Sequence, residues 1–437
     1  MKRIYFAVSL LCLPIAVYGQ GPLLWELQED IHGGIDLARA ITISGRTAVV
    51  VGNGGVPEEG TDGSDFVIQA LSRATGTVQW SDEAFLSIGA IEPLFVTSRK
   101  NRVYAVGTLR QPGDVRSAFL VRAYEVPSGT LLWQNVWHAG QGVDTDHPTG
   151  ILASPTQVVV VGYSENATRE GLAAVVRAYE PVSGAFLWED RAGNTGLDVI
   201  AWAIAADRNR VFLAGTTSPA DNPSVRDLFV RAYDASSGDV DWQIGRQSVI
   251  PTKLILASGR LLVAGAAANG TYLAAFSAAS GVRLWQDTAP TAGTLVDIAV
   301  KGPRIAAAIL GRQSAVRAYN LITGRVEWED RLPIRPGFQQ LVFAVAQNND
   351  SVFAAGSSGQ DFGNSEFMVR AYDARKGTLL WDDRCHPSEQ TAAVDLTVDK
   401  SRLFVAGYTS DGVTSTDFLI RAYDVQHETT GTQHSRE

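Results

Sequence analysis

Trp137, His138, Asp144, Asp146 and His147 bring an aromatic ring, two imidazoles and two carboxylates into one short stretch of chain. Groups of these types can hold a cation or a small polar ligand. The stretch lacks the ligand spacing of a known metal motif, so a polar loop anchored by Trp137 is the competing reading. Arg122, Arg177, Arg231, Arg317, Arg370 and Arg421 form a second set, each in the same local phrase. They either line a basic surface for an anion or pair with acids of their own or a neighbouring unit. The acids could be those after the Tyr of that phrase, or Asp190, Asp330 and Asp383. Cys385–His386 is a third candidate, but nothing nearby in sequence completes a ligand set, so the thiol reads as incidental. The glycines at Gly52–Gly55 lack the Lys and the strand–loop–helix context of a phosphate loop.

The elements that carry these residues repeat. Of the ten tryptophans, eight fall at intervals of roughly 43 to 55 residues: Trp25, Trp80, Trp133, Trp188, Trp242, Trp285, Trp328 and Trp381. Seven of them close a Ser/Thr/Lys-Gly-x-x-x-Trp phrase, as in "TGTVQW", "SGTLLW" and "KGTLLW". A further phrase precedes it: "VRAYE" at Val121–Glu125 and Val176–Glu180, "VRAYD" at Val230–Asp234 and Val369–Asp373, "VRAYN" at Val316–Asn320 and "IRAYD" at Ile420–Asp424. Degenerate copies at Ile68–Ser72 and Leu273–Ser277 bring the count to eight. Each period holds four short β-rich runs separated by turn residues, which predicts an all-β, eight-bladed propeller of four-stranded blades. The eighth copy has no Trp after it, whereas "GPLLW" opens the chain after its leader. The N-terminal strand is therefore expected to complete the C-terminal blade and close the ring.

The Ala-Tyr-Asp/Glu, three residues, Gly, three residues, Trp pattern resembles the repeat of quinoprotein-type, PQQ-like β-propellers. The resemblance covers essentially all of the chain after residue 19. It implies that the eight repeated tryptophans dock each blade against its neighbour. It also implies two classes of function. One is a PQQ- and calcium-dependent dehydrogenase; such enzymes typically carry a bridged pair of adjacent cysteines. This chain has one cysteine beyond the leader and no Cys-x-x-Cys-His haem site. The other class is a non-catalytic binding module with no cofactor, similar in architecture to the eight-bladed periplasmic scaffold of outer-membrane β-barrel assembly.

Residues 1–19 read as an export signal, with Lys2 and Arg3 before an apolar run from Ile4 to Val17. The expected domains are this leader, a propeller over 20–425 and a disordered tail over 426–437. A periplasmic or secreted monomer is expected, with no transmembrane segment once the leader is removed. The formal net charge is −9, and loss of Lys2 and Arg3 makes it more negative by two. That balance excludes a nucleic-acid partner and points to an envelope or extracellular protein. Loops between the second and third strands are long in six blades: Gly52–Asp65, Gly107–Ser117, Gly162–Gly171, Gly215–Asp227, Gly356–Ser365 and Gly407–Asp417. The turns of the opposite face are tight, so the elaborated face is expected to bind; neutral loop drift is the competing reading.

Overall fold

The computed structural model describes residues 21–426 apart from 32–33, 56–62, 89–94, 111–116, 140–144, 166–170, 194–195, 246, 288–291, 361–363, 387 and 411–415. The leader, the tail beyond residue 426 and Asp144 lie outside the described residues. Among the described residues thirty-two strands run from Leu23 to Asp424 and no helix occurs. Each blade is an antiparallel sheet of four strands taken in chain order. Blades 1 to 7 span 37–88, 95–137, 145–192, 197–245, 249–287, 294–331 and 339–385. Blade 8 takes three strands from 390–424, and its outer strand is Leu23–Glu29 from the start of the chain. That strand pairs antiparallel with Thr416–Asp424, Trp25 facing Ala422 and Gln28 facing Leu419. The ring is thus closed by the two ends of the chain.

The hydrophobic core is divided among the seams. Eight buried clusters each draw on two adjacent blades; one joins Trp25, Ile41 and Val50 to Phe404 and Ile420 across the closing seam. Alanine, valine and leucine dominate because a strand buried on both faces needs apolar residues at every position.

The Gly-x-x-x-Trp phrase explains how blades register. Each Trp lies against the Gly of the next blade's phrase: Trp188 on Gly238, Trp328 on Gly377, and so on round the ring. At Gly238 the backbone is left-handed (φ +79°), and an added β-carbon would stand 2.6 Å from the Trp188 ring. Only glycine satisfies both demands. The indole N–H then donates to a backbone carbonyl just upstream of that glycine, as from Trp188 to Ala235 and from Trp328 to Ala374 (both 2.9 Å).

The innermost strands carry a second repeated device. Their pairing with the second strand slips by one residue at Arg39, Thr149, Trp202, Thr252, Val296, Phe343 and Val394. A bulge leaves a residue unpaired and bends the strand. Opposite most bulges the second strand has glycine, such as Gly215 and Gly265, whose missing side chain admits the inner-strand carbonyl. The bulges set which inner-strand side chains turn toward the axis of the ring.

Candidate functional site

The six repeated arginines are not a ligand surface. In five seams Arg and Tyr of one blade meet an Asp two residues after the Trp of the blade before. Arg231 Nη1 and Tyr233 Oη donate to Asp190 Oδ2 at 2.6 and 2.9 Å. Arg122 and Tyr124 meet Asp82, Arg370 and Tyr372 meet Asp330, and Arg421 and Tyr423 meet Asp383. Arg317 reaches Asp287 at 3.4 Å. The acids that follow the Tyr do other work: Asp234 Oδ1 accepts the backbone N–H groups of Ser236 and Ser237, closing the turn. Burial works against the charge of Arg421, yet Tyr423 and Asp383 hold it well above its usual range. Arg177 shows the converse. Its seam has Asn135 in place of Asp, and burial lowers Arg177 below the usual guanidinium range. It pairs instead with Glu189 of its own blade and lies 4.7 Å from the centre of the Trp137 ring.

The stretch from Trp137 to His147 is drawn into that arrangement. Trp137 is buried, packs on Phe119 at 5.0 Å and is flanked by Arg177 and Arg191. Asp146 is fully buried; its backbone N–H donates to Ser117 Oγ and its Oδ2 accepts from the Ala139 N–H at 3.0 Å. His138 is exposed, and His147 is half-buried against Tyr163. The structure therefore places Trp137 at the end of blade 2 and Asp146 at the start of blade 3, the latter tied to the Ala139 N–H, and leaves the two imidazoles on the long-loop side. Cys385 is buried with Sγ 3.8 Å from Glu26 Oε2, while the adjacent His386 is exposed.

Three charged residues missing from the sequence reading meet around the central channel. Lys253, Asp297 and Asp395 occupy one slot, directly after the bulge in blades 5, 6 and 8. Lys253 Nζ lies 2.9 Å from Asp297 Oδ1. Asp297 Oδ2 accepts from the Val345 N–H of blade 7, and Asp395 Oδ2 from the Ile41 N–H of blade 1 (2.9 and 2.8 Å). Thr149 and Thr252 make similar links, donating to Ala201 and Leu295 carbonyls of the following blades. Burial raises Asp395 to about 6; the Ile41 N–H and Lys253 oppose that rise and Asp297 adds to it. Lys253 is 48% exposed in the channel, and the Asp297 carboxylate beside it raises its pKa. The signal available in sequence was positional: each residue stands twelve before the second-run slot held by Gly265, Ile309 and Gly407, at a position that is Ala, Gly or Phe in the other blades.

These carboxylates do not fit a calcium–quinone pair. Calcium takes six to eight oxygens, whereas each oxygen of Asp297 and Asp395 already accepts an N–H, the last of them from Leu396 to Asp395 Oδ1 at 2.9 Å. One channel lysine beside two carboxylates is also a poor counterpart for a polyanionic quinone. Among the described residues no group of three or more His, Cys, Asp or Glu could hold a metal ion.

Long second-to-third loops leave one face of the disc, and tight turns such as Asp207–Arg210 close the other. Among the described residues no helix is long and apolar enough to cross a membrane. A family model described as outer membrane protein assembly factor BamB matches residues 117–298 and 172–366, together more than half of the chain. No curated protein sequence matches. Among solved structures, the chain is similar to the computationally designed Ika8 protein, with 16% identity and a TM-score of 0.59 over 93% of this chain and 100% of that one. It is similar to BamB from Moraxella catarrhalis, with 14% identity and a TM-score of 0.51 over 91% and 100%. The quinohemoprotein alcohol dehydrogenase from Comamonas testosteroni gives 11% identity and a TM-score of 0.59 over 93% and 76%. Identities this low establish a shared fold and nothing finer.

Proposed function

Because the chain belongs to the PQQ-like β-propeller repeat family, we propose that it is an exported, non-catalytic scaffold that presents its long-loop face to a protein partner in the cell envelope. The supporting observation is the asymmetry of the disc. Six blades extend their second-to-third loops on one face, and the other face is closed by tight turns throughout. A rigid ring with all its variation on one side is suited to recognition through that side. His138 and His147, on the same side and partly open to solvent, are contact candidates. The family description names an outer membrane protein assembly factor, which agrees with an envelope location and with the basic start and apolar run of residues 2–17.

Loop grafting tests this reading. A photo-crosslinking residue at His138, exposed on the long-loop side and outside both grafted segments, should trap one envelope protein in intact cells, and one at Asn348 on the opposite face should not. Grafting short turns over 107–117 and 215–227 should abolish that adduct while the unfolding midpoint stays within a few degrees. Adducts from Asn348 alone, or an adduct that survives both grafts, would reject the proposed face.

A further inference from the structure

The seam between blades 4 and 5 lacks all three members of the ionic knot that closes five of the others. Ile244 stands where the preceding blade elsewhere supplies Asp, Ala274 replaces the Arg, and Phe276 replaces the Tyr. The three changes agree with one another: once the acid is gone, the guanidinium and the phenol that would need it are gone too. Gly245 follows, in a position that holds Glu83, Arg191, Arg331 and Arg384 in other blades. A cavity of about 240 Å³ occupies the seam, lined by Leu228, Ile244, Gly245, Gln247, Phe276 and Arg283 among others. The closing seam of blades 8 and 1 also lacks the knot, but Leu27, Gln69 and Leu71 fill its positions, the last two buried.

Arg283 approaches the vacated slot from the turn side. Its Nη1 donates to Gln286 Oε1 at 2.6 Å. Gln286 stands at the position from which Gln134, Gln243 and Glu329 accept the repeated arginines Arg122, Arg231 and Arg317. Arg283 has therefore taken over the acceptor of the missing Arg, but the carboxylate that would complete the knot is replaced by Ile244. The wall opposite is apolar (Leu228, Ile244, Phe276). Gln247 is engaged at the edge, accepting from Tyr272 Oη at 2.9 Å.

We propose that this cavity binds a small apolar carboxylate. The hydrocarbon part lies on Leu228, Ile244 and Phe276, and the carboxylate meets Arg283 in the part that Asp190 plays for Arg231 one seam earlier. The volume suits a single ring or a short chain, below the ~300 Å³ at which pockets for larger ligands begin. Either a free aryl or alkyl acid or the carboxyl terminus of a peptide ending in an apolar residue carries this chemistry.

The test uses the full chain and three probes followed by NMR: 3-phenylpropionate, 3-phenylpropionamide, and an acetylated tripeptide ending in Phe with a free carboxyl group. The acid is expected to bind about tenfold more tightly than the amide, the order expected of a charge-assisted hydrogen bond. Arg283→Gln should remove that preference without abolishing weak binding. Installing the knot with Ile244→Asp, Ala274→Arg and Phe276→Tyr together should abolish binding of every probe. Gly245→Leu provides a second, milder block, since a β-carbon there meets only the Leu228 carbonyl oxygen at 3.4 Å. Tighter binding of the peptide would assign the site to a chain terminus, and tighter binding of the acid to a free small molecule. No saturable binding by the acid, equal binding of acid and amide, or binding unchanged in Gly245→Leu would overturn the proposal.

Discussion

Trp381 lies over Gly21, where an added β-carbon would stand 3.0 Å from two carbons of the indole ring. This contact is the eighth of its kind and joins the seventh blade to the segment that completes the eighth, although Gly21, unlike the other seven glycines, is not left-handed. Removing any one ring should therefore weaken the whole body. Trp188→Ala is expected to cost about 3–5 kcal/mol, the range for deleting a large core aromatic, and Trp381→Ala a similar amount despite its place beside the N-terminus. Urea denaturation of both variants checks this. A loss below about 1 kcal/mol at Trp381 would mean that the closing seam is looser than the rest.

The knot between blades 7 and 8 is the most enclosed, with side-chain exposures of 4% for Arg421 and 6% for Asp383. Asp383→Ala leaves the Tyr423 hydroxyl without its acceptor and the buried Arg421 guanidinium with only Glu26, 2.9 Å from its Nε. Breaking a buried pair by deleting one partner costs about 3–5 kcal/mol. A double-mutant cycle with Arg421→Met should show strong coupling, and additive losses would contradict the pairing.

Asn135 marks a seam that can be improved. Asn135→Asp gives Arg177 and Tyr179 the carboxylate that their counterparts have, Tyr179 already donating to Asn135 Oδ1 at 3.2 Å. A gain of about 1 kcal/mol is expected, at the lower end for a charge-assisted bond because Arg177 already holds Glu189. The midpoint of thermal unfolding should rise by a few degrees; a fall would mean that Glu189 and Trp137 fully replace the missing acid.

Asp395 should make stability decline across mildly acidic pH. Its folded pKa of about 6 lies above the ordinary carboxylate value, so between about pH 4 and 6 the folded state binds more protons than the unfolded one. Stability then falls as pH rises through that window, and the penalty is constant above it. The shift corresponds to about 3 kcal/mol. Asp395→Asn should recover about 1–2 kcal/mol at pH 7.5, less than the whole because the bond from Leu396 is lost, and should flatten the pH 4–6 limb. A variant with an unchanged pH profile would show that Lys253 and Ile41 neutralise the cost of burial.

The ring was legible because every blade solves the same packing problem with the same residues. A Gly that must be left-handed and thin, a Trp that must reach across, and a Tyr-bearing third strand recur with little drift, and the missing eighth Trp pointed to the closing strand. The partner of the repeated Arg was less legible. Acids after the Tyr and acids after the Trp were both within plausible reach, and only the offset between neighbouring blades selects Asp190 over Asp234. Lys253, Asp297 and Asp395 escaped notice for the opposite reason. These channel-facing side chains meet the backbone of the following blade, or one another, so no repeated side chain constrains their type.

The strand Leu23–Glu29 is the first part of the propeller to leave the ribosome and the last that can be used. It waits until Thr416–Asp424 has been made and carried to the same place, almost four hundred residues later. Until then both its edge and that of the last blade are bare, and such edges pair readily with the wrong chain. A nascent or truncated polypeptide would therefore hold a nearly complete but open ring, vulnerable to mispairing. Only synthesis through the last strand ends that vulnerability, so full length is itself a condition for safe folding.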